Sequence, residues 1–186
     1  VGKIDNVEKA ISTAWKNIHD QIWLIGSYKS EQTIAASSYL EYFHGEITGR
    51  PPKIDLLDEK FCQNFLRNAI LNNLIVSSHD ISDGGLAIAL AECCILSSKG
   101  ALIELDKDLD RDDNLLFAEG GSRIIFSVDK IKEKEWLNYL KKFQINSQSS
   151  VYVKKIGYVS SENLKIKIQD KNICNIRVEE LTEKFN

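Results

Sequence analysis

A chain of 186 residues with 43% hydrophobic and 27% charged residues has the balance of an ordinary globular domain, long enough to bury roughly 70% of its unfolded surface without a disulfide or metal staple. A net charge of −3 argues against a nucleic-acid binder, which carries a basic face. The longest apolar stretch, around 86–96, contains Glu92 and is too short to span a bilayer, and no secretory signal precedes it, so neither membrane nor nucleic acid is expected as a partner.

In chain order, Val7, Ile11, Ala14 and Trp15 fall at helical spacing and predict a helix over 5–16, with Asp5 or Asn6 as cap. The run 21–26 reads as a short buried strand, 27–33 as loop and 34–44 as helix, before Gly45, Gly49, Pro51 and Pro52 break the chain. Leu57, Phe61, Phe65, Leu66, Ala69 and Ile70 form one stripe on an amphipathic helix over 55–73. A strand at 74–78 and a helix at 85–98 flank a Gly84-Gly85 turn. Then come a strand at 101–105, a short helix at 112–117, a turn at 119–122, a β-rich run at 123–128 and a helix at 131–143. A polar connector at 147–150 leads to three strands, 151–159, 164–168 and 172–176, which read as a closing antiparallel meander before a terminal helix at 178–185. The irregular alternation points to a layered α+β domain rather than a doubly wound parallel sheet. Clustered bases at 130–142 and 165–171 read as solvated faces.

Cys62, Cys93, Cys94 and Cys174 show no metal spacing and read as buried free thiols in a reducing, cytoplasmic setting. The chain contains no Met, which leads us to expect an excised or proteolysed piece of a longer precursor.

Two turns are candidates for chemistry. In the first, His79, Asp80, Ser82, Asp83, Gly84 and Gly85 stand where a strand hands over to a helix, so backbone N–H groups and the positive helix end converge on one point. That arrangement suits a phosphate or metal–phosphate. It equally suits a cap, with Ser82 or Asp83 accepting from the first helical N–H groups; two carboxylates repel a bare phosphate unless a divalent cation or lysine intervenes. In the second, Glu119, Gly120, Gly121, Ser122 and Arg123 could form a nest of N–H groups beside a guanidinium, or merely a turn before a strand. No Walker loop is present and no nucleophile–base pair stands out, so no catalytic and no metal-ligating residue is assigned.

Several segments together resemble one family. They are Ser38-Tyr39-Leu40, Gly49-Arg50-Pro51-Pro52 with Asp55-Leu56, Glu59-Lys60, the run from His79 through Ser82-Asp83-Gly84-Gly85 to Glu92, and Leu116-Phe117-Ala118-Glu119. Val1-Gly2 with the following Asp5-Asn6-Val7, and Val178-Glu179-Glu180-Leu181 at the other end, extend the likeness over the whole chain. The family is phosphoribosylformylglycinamidine synthase, and the part resembled is its C-terminal domain. The resemblance implies an α+β, layered α/β/α domain with a mixed, largely antiparallel sheet, like the C-terminal domain of aminoimidazole ribonucleotide synthetase. It implies residues 1–20 as a helical lead-in from a preceding ATP-handling domain and 21–186 as the domain proper.

The implied activity is that of the whole enzyme, an amidine-forming ligase of purine biosynthesis. Formylglycinamide ribonucleotide, ATP and glutamine-derived ammonia give formylglycinamidine ribonucleotide, ADP and phosphate. ATP and Mg²⁺ serve the full-length enzyme, and neither is expected to bind tightly to this domain alone. Implied partners are the preceding domains and a glutaminase subunit; self-association of the fragment is left open. The sequence departs from the family pattern twice. Ala35-Ala36-Ser37 stands where Gly-Gly-Ser is usual, and Gly120-Gly121 replaces the Ser-Gln of a Glu-Ser-Gln-x-Arg signature. Losing those side chains fits a domain that lines a non-catalytic pseudo-site and is inactive alone. The alternatives are a packing module that binds nothing, or a related member such as a thiamine-monophosphate kinase or selenophosphate synthetase.

Overall fold

Strand β1 (Gln21–Ser27) is buried along its whole length, because both faces of it carry a core. In the computed structural model, which describes residues 4, 6–27, 30–106, 111–146 and 150–185, it lies in the interior of a mixed sheet. The other strands are β2 (Ser77–Asp80), β3 (Gly100–Leu105), β4 (Ile124–Val128), β5 (Val151–Ser160), β6 (Asn163–Ile168) and β7 (Lys171–Arg177). The helices are α1 (Ser38–His44), α2 (Leu56–Leu71), α3 (Gly85–Ser97), α4 (Asp112–Phe117), α5 (Glu133–Asn146) and α6 (Val178–Phe185). The sheet order is β2-β4-β1-β5-β3-β6-β7. Only the β3–β6 pair is parallel among the described strands, so the sheet is largely antiparallel, as the resemblance implies.

Strand alternation divides the core in two. Ile22 and Leu24 of β1 face one side with Leu90 of α3, Leu116 of α4 and Val178 of α6. Trp23 and Ile25 face the other with Phe65 of α2 and Trp136 of α5. The result is a three-layered α/β/α arrangement. Trp136 anchors the second core: its ring centroid lies 5.4 Å from Trp23, 5.4 Å from Phe126 and 5.8 Å from Phe65, all edge-on, the geometry the ring quadrupoles favour.

Several expected elements differ. The helix over 5–16 does not form. Asn6 caps a single 3₁₀ turn, Val7–Lys9, and the chain then runs alongside β2 through a parallel bridge from Ser12 to Ser77. The periodic apolar residues are shared between the two cores, Trp15 entering one and Ile11 packing on the other, which one helix face cannot do. The helix over 34–44 shortens to α1, because the Ser37 side chain caps it by accepting from the Leu40 N–H and Ala36 takes φ 56° in the preceding turn. The buried stripe of α2 is Asp58, Cys62, Phe65 and Ala69; Leu57, expected within it, is 78% exposed. The strand expected at 74–78 begins only at Ser77, although Leu74 and Ile75 are buried. The closing meander is broken: β3 inserts between β5 and β6, interleaving Ala101, Ile103 and Leu105 with Leu164, Ile166 and Ile168. The readings at Val1, Gly2 and Asp5, and the connector positions 147–149, lie outside the described residues.

Candidate functional site

The two candidate turns are brought together by the antiparallel pairing of β2 with β4, which sets Asp80 opposite Ile124 and His79 opposite Ile125. The Ile81 N–H donates to the Arg123 carbonyl at 3.0 Å, fastening one turn to the other.

At the first turn Gly84 is the N-cap of α3, in the left-handed region, and no side chain of the turn itself caps the helix. Ser82 and Asp83 are exposed, so the expectation that one of them accepts from the helical N–H groups is corrected. The acceptor comes from the second turn. Glu119 Oε1 accepts from the Gly84 N–H at 2.8 Å and from the Ser38 N–H, at the start of α1, at 3.0 Å. One carboxylate therefore sits at two helix N-termini, where an incoming anion would otherwise be drawn. Gly85 is required by close approach: a Cβ there would lie 2.7 Å from the Phe117 carbonyl carbon and 2.8 Å from the Ala118 oxygen, at φ +69°.

His79 points away from the turn. Its Nε2 lies 2.8 Å from Glu92 Oε2 on α3 and its Nδ1 3.5 Å from Asp80 Oδ1. Asp80 itself is 75% exposed. The exposed carboxylates of Asp80 and Asp83, with Ser82, make a polar edge beside α3.

The second turn is not an open nest. Gly120 lies against the Glu31 carbonyl and Gly121 against Ile54. Ser122 is buried, donating to Glu59 Oε2 at 2.8 Å while Ser30 Oγ donates to it at 3.1 Å. The Arg123 guanidinium is turned inward, 3% exposed, donating to Gln32 Oε1 at 3.0 Å and to the Ala118 carbonyl at 2.9 Å. Burial pushes its pKa below the ordinary value. Glu92, Gln32, Glu59 and Ser30 enter the site without having been singled out as candidates. Glu92 was legible only as the last residue of the run that starts at His79, and Gln32 and Ser30 sit in a loop that carries no pattern.

Among the described residues no group of three or more His, Cys, Asp or Glu side chains could hold a metal ion. The buried thiols are poor nucleophiles: burial pushes Cys62 and Cys94 up to about 12 and Cys93 higher still. No described helix is long and apolar enough to cross a membrane. Large apolar side chains do reach the surface within 42–57, where Tyr42, Phe43, Ile47, Leu56 and Leu57 are 62–84% exposed.

Residues 17–168 match the family described as AIR synthase related protein, C-terminal domain. Phosphoribosylformylglycinamidine synthase subunit PurL of Prochlorococcus marinus (strain MIT 9312) is 88% identical over 186 residues, all of this chain and 24% of the relative. The subunit of the same name from strain MIT 9313 is 43% identical over 170 residues, 88% of this chain and 21% of the relative. The chain thus spans about a quarter of the length of the curated relatives it matches. Among solved structures, T. maritima PurL complexed with FGAR superposes with a TM-score of 0.74 at 15% identity, over 95% of this chain and 30% of that one. E. coli HypE, a hydrogenase maturation protein, gives 0.56 at 13% identity, over 90% of this chain and 52% of that one. At such identities these two matches show the fold alone.

Proposed function

This chain belongs to the AIR synthase related protein family, as the C-terminal domain, and on that footing we propose that it is the last domain of a phosphoribosylformylglycinamidine synthase subunit. The observation that carries the reading is the 88% identity that runs through all 186 residues into a protein about four times as long. The whole enzyme joins ammonia to formylglycinamide ribonucleotide at the expense of ATP, giving the amidine, ADP and phosphate. Residues 1–20 are the lead-in from a preceding domain and 21–186 the domain itself. The exposed apolar side chains of 42–57 pack against the rest of that polypeptide, and a glutaminase subunit supplies the ammonia. Free thiols at all four cysteines suit a cytoplasmic setting.

Within that enzyme the chain's own residues serve as scaffold. They do not fit a magnesium–triphosphate cradle: the described residues offer no metal-ligating cluster. The positive ends of α1 and α3 are already matched by Glu119. Asp80, Ser82 and Asp83 are the part of the predicted site left facing outward, an edge that a neighbouring domain completes into the non-catalytic pseudo-site. The test is an ADP-release assay with formylglycinamide ribonucleotide, ATP, Mg²⁺ and ammonia. The 186-residue chain alone should give no release above buffer; amidine and ADP formation by it alone refutes the reading.

A further inference from the structure

A concavity of about 310 Å³ lies where β1, β3 and β5 meet, and no residue of either glycine turn lines it. Leu24 and Ile156 form its apolar floor, and Tyr152, Gln32 and Lys154 stand around it. The size is at the small end of ligand sites, which run from about 300 to 1,000 Å³.

Its electrostatics are unbalanced. Arg123, behind Gln32, is a buried cation with no carboxylate within ion-pair reach among the described residues, and its Nε has no hydrogen-bond partner. A buried charge without a counter-charge is costly, and the two carbonyl oxygens it meets offset only part of that cost. A guanidinium can only donate. Gln32 must therefore turn its amide oxygen to Arg123, 3.0 Å away, and present its two N–H donors elsewhere; Gln32 lines the concavity. Lys154 holds its ammonium 5.4 Å from the Tyr152 ring centroid and has no carboxylate partner among the described residues. Two carboxylates border the space. Glu104 alternates with the buried Ile103 and Leu105 and so projects from the opposite face of β3, which leaves Asp106, just past the strand, as the acid at the mouth.

We infer that this concavity binds a small molecule through an oxyanion group, held by the Gln32 amide and the Lys154 ammonium, with the Arg123 charge behind. The site is independent of the reading above, since it uses neither the His79–Gly85 turn nor any residue of another domain, and takes from the second turn only the inward-facing Arg123. The experiment is an NMR titration of the ¹⁵N-labelled 186-residue chain with sodium phosphate and sodium acetate, against sodium chloride at matched ionic strength. Saturable shifts at the Gln32 side-chain amide and the Tyr152 and Lys154 N–H groups are expected from at least one of the two oxyanions and not from chloride, and the stronger arm identifies the group. Lys154→Gln should weaken binding about tenfold, the loss of one charge-assisted contact, and Asp106→Asn should tighten it. Gln32→Glu gives Arg123 a carboxylate from within the fold, so it should abolish the saturable shifts while raising the melting temperature. Shifts that match those from chloride, that centre on Gly84 and Gly85, or that survive Gln32→Glu overturn the inference.

Discussion

Removing the Glu119 carboxylate should destabilise two helix starts at once. Its Oε1 is 2.8 Å from the Gly84 N–H and 3.0 Å from the Ser38 N–H, the first contact partly buried and the second exposed. A hydrogen bond to a charged acceptor contributes about 1.5–3 kcal/mol, with the exposed one at or below the low end, and a carboxylate at a helix N-terminus adds about 0.3–1 kcal/mol. Glu119→Ala leaves both donors without a protein acceptor and should cost about 2–4 kcal/mol. Glu119→Gln keeps an acceptor oxygen and loses only the charge, and should cost about 1 kcal/mol. At about 2–4 °C per kcal/mol for a chain of this size, the Ala variant should melt roughly 4–16 °C lower. Urea titration followed by circular dichroism gives the free energies, and the slope of the transition checks that both variants unfold from a comparable native state. The main-chain bridge between Thr33 and Glu119 is untouched by either change, so the effect isolates the side chain. Formate should restore part of the loss in Glu119→Ala and none in wild type, because only the variant leaves the helix ends open to an outside anion. A Glu119→Ala variant within about 0.5 kcal/mol of wild type, the range of neutral surface changes, would refute the argument.

Other consequences can be measured on the same chain. Trp136→Ala opens the second core between Trp23, Phe65 and Phe126 and should cost about 3–5 kcal/mol by urea titration; a loss below about 1 kcal/mol contradicts the packing described. Asp20 is 1% exposed and burial raises its pKa above the ordinary 3.8, so the folded state holds its proton more tightly than the unfolded state does. Its contribution to stability is therefore full below 3.8 and is lost as pH rises through the folded pKa. Asp20→Asn should be more stable relative to wild type at pH 7 than at about pH 3.5, and the reverse order in paired urea titrations counts against it. The thiols of Cys62, Cys93 and Cys94 should resist alkylation at about pH 8 until urea is added, with half-buried Cys174 reacting first; rapid labelling of all four in the native chain contradicts their burial.

Much of the fold could be read from residue pattern, and the failures have physical causes. The apolar run of β1 and the Asp112–Phe117 helix were legible because burial and local spacing determine them. The helix expected over 5–16 was not, since Ile11 and Trp15 serve opposite faces of the sheet while mimicking one helical stripe. Strand neighbours were not legible either: the alternation of β6 suits a partner on either side, and only the assembled sheet shows β3 there. At the site, the motif at His79–Asp83 and the Glu119–Arg123 turn were visible as sequence, and their meeting was not. Which acceptor caps α3 depends on the pairing of β2 with β4, which delivers Glu119 from 35 positions away in sequence. The inward turn of Arg123 likewise has no local signature, because a guanidinium after two glycines could as well face solvent.

On the proposed reading this domain folds by itself and is inactive without the rest of the subunit. Reconstitution is the test: ADP and amidine formation by the 186-residue chain, by the Prochlorococcus marinus MIT 9312 subunit lacking the 24% of its length that this chain matches, and by the two mixed, each with formylglycinamide ribonucleotide, ATP, Mg²⁺ and ammonia. No turnover is expected from the 186-residue chain alone, and turnover from the mixture should rise to a plateau as that chain is added. Turnover by the isolated chain, or a mixture no more active than the truncated subunit alone, would overturn that reading.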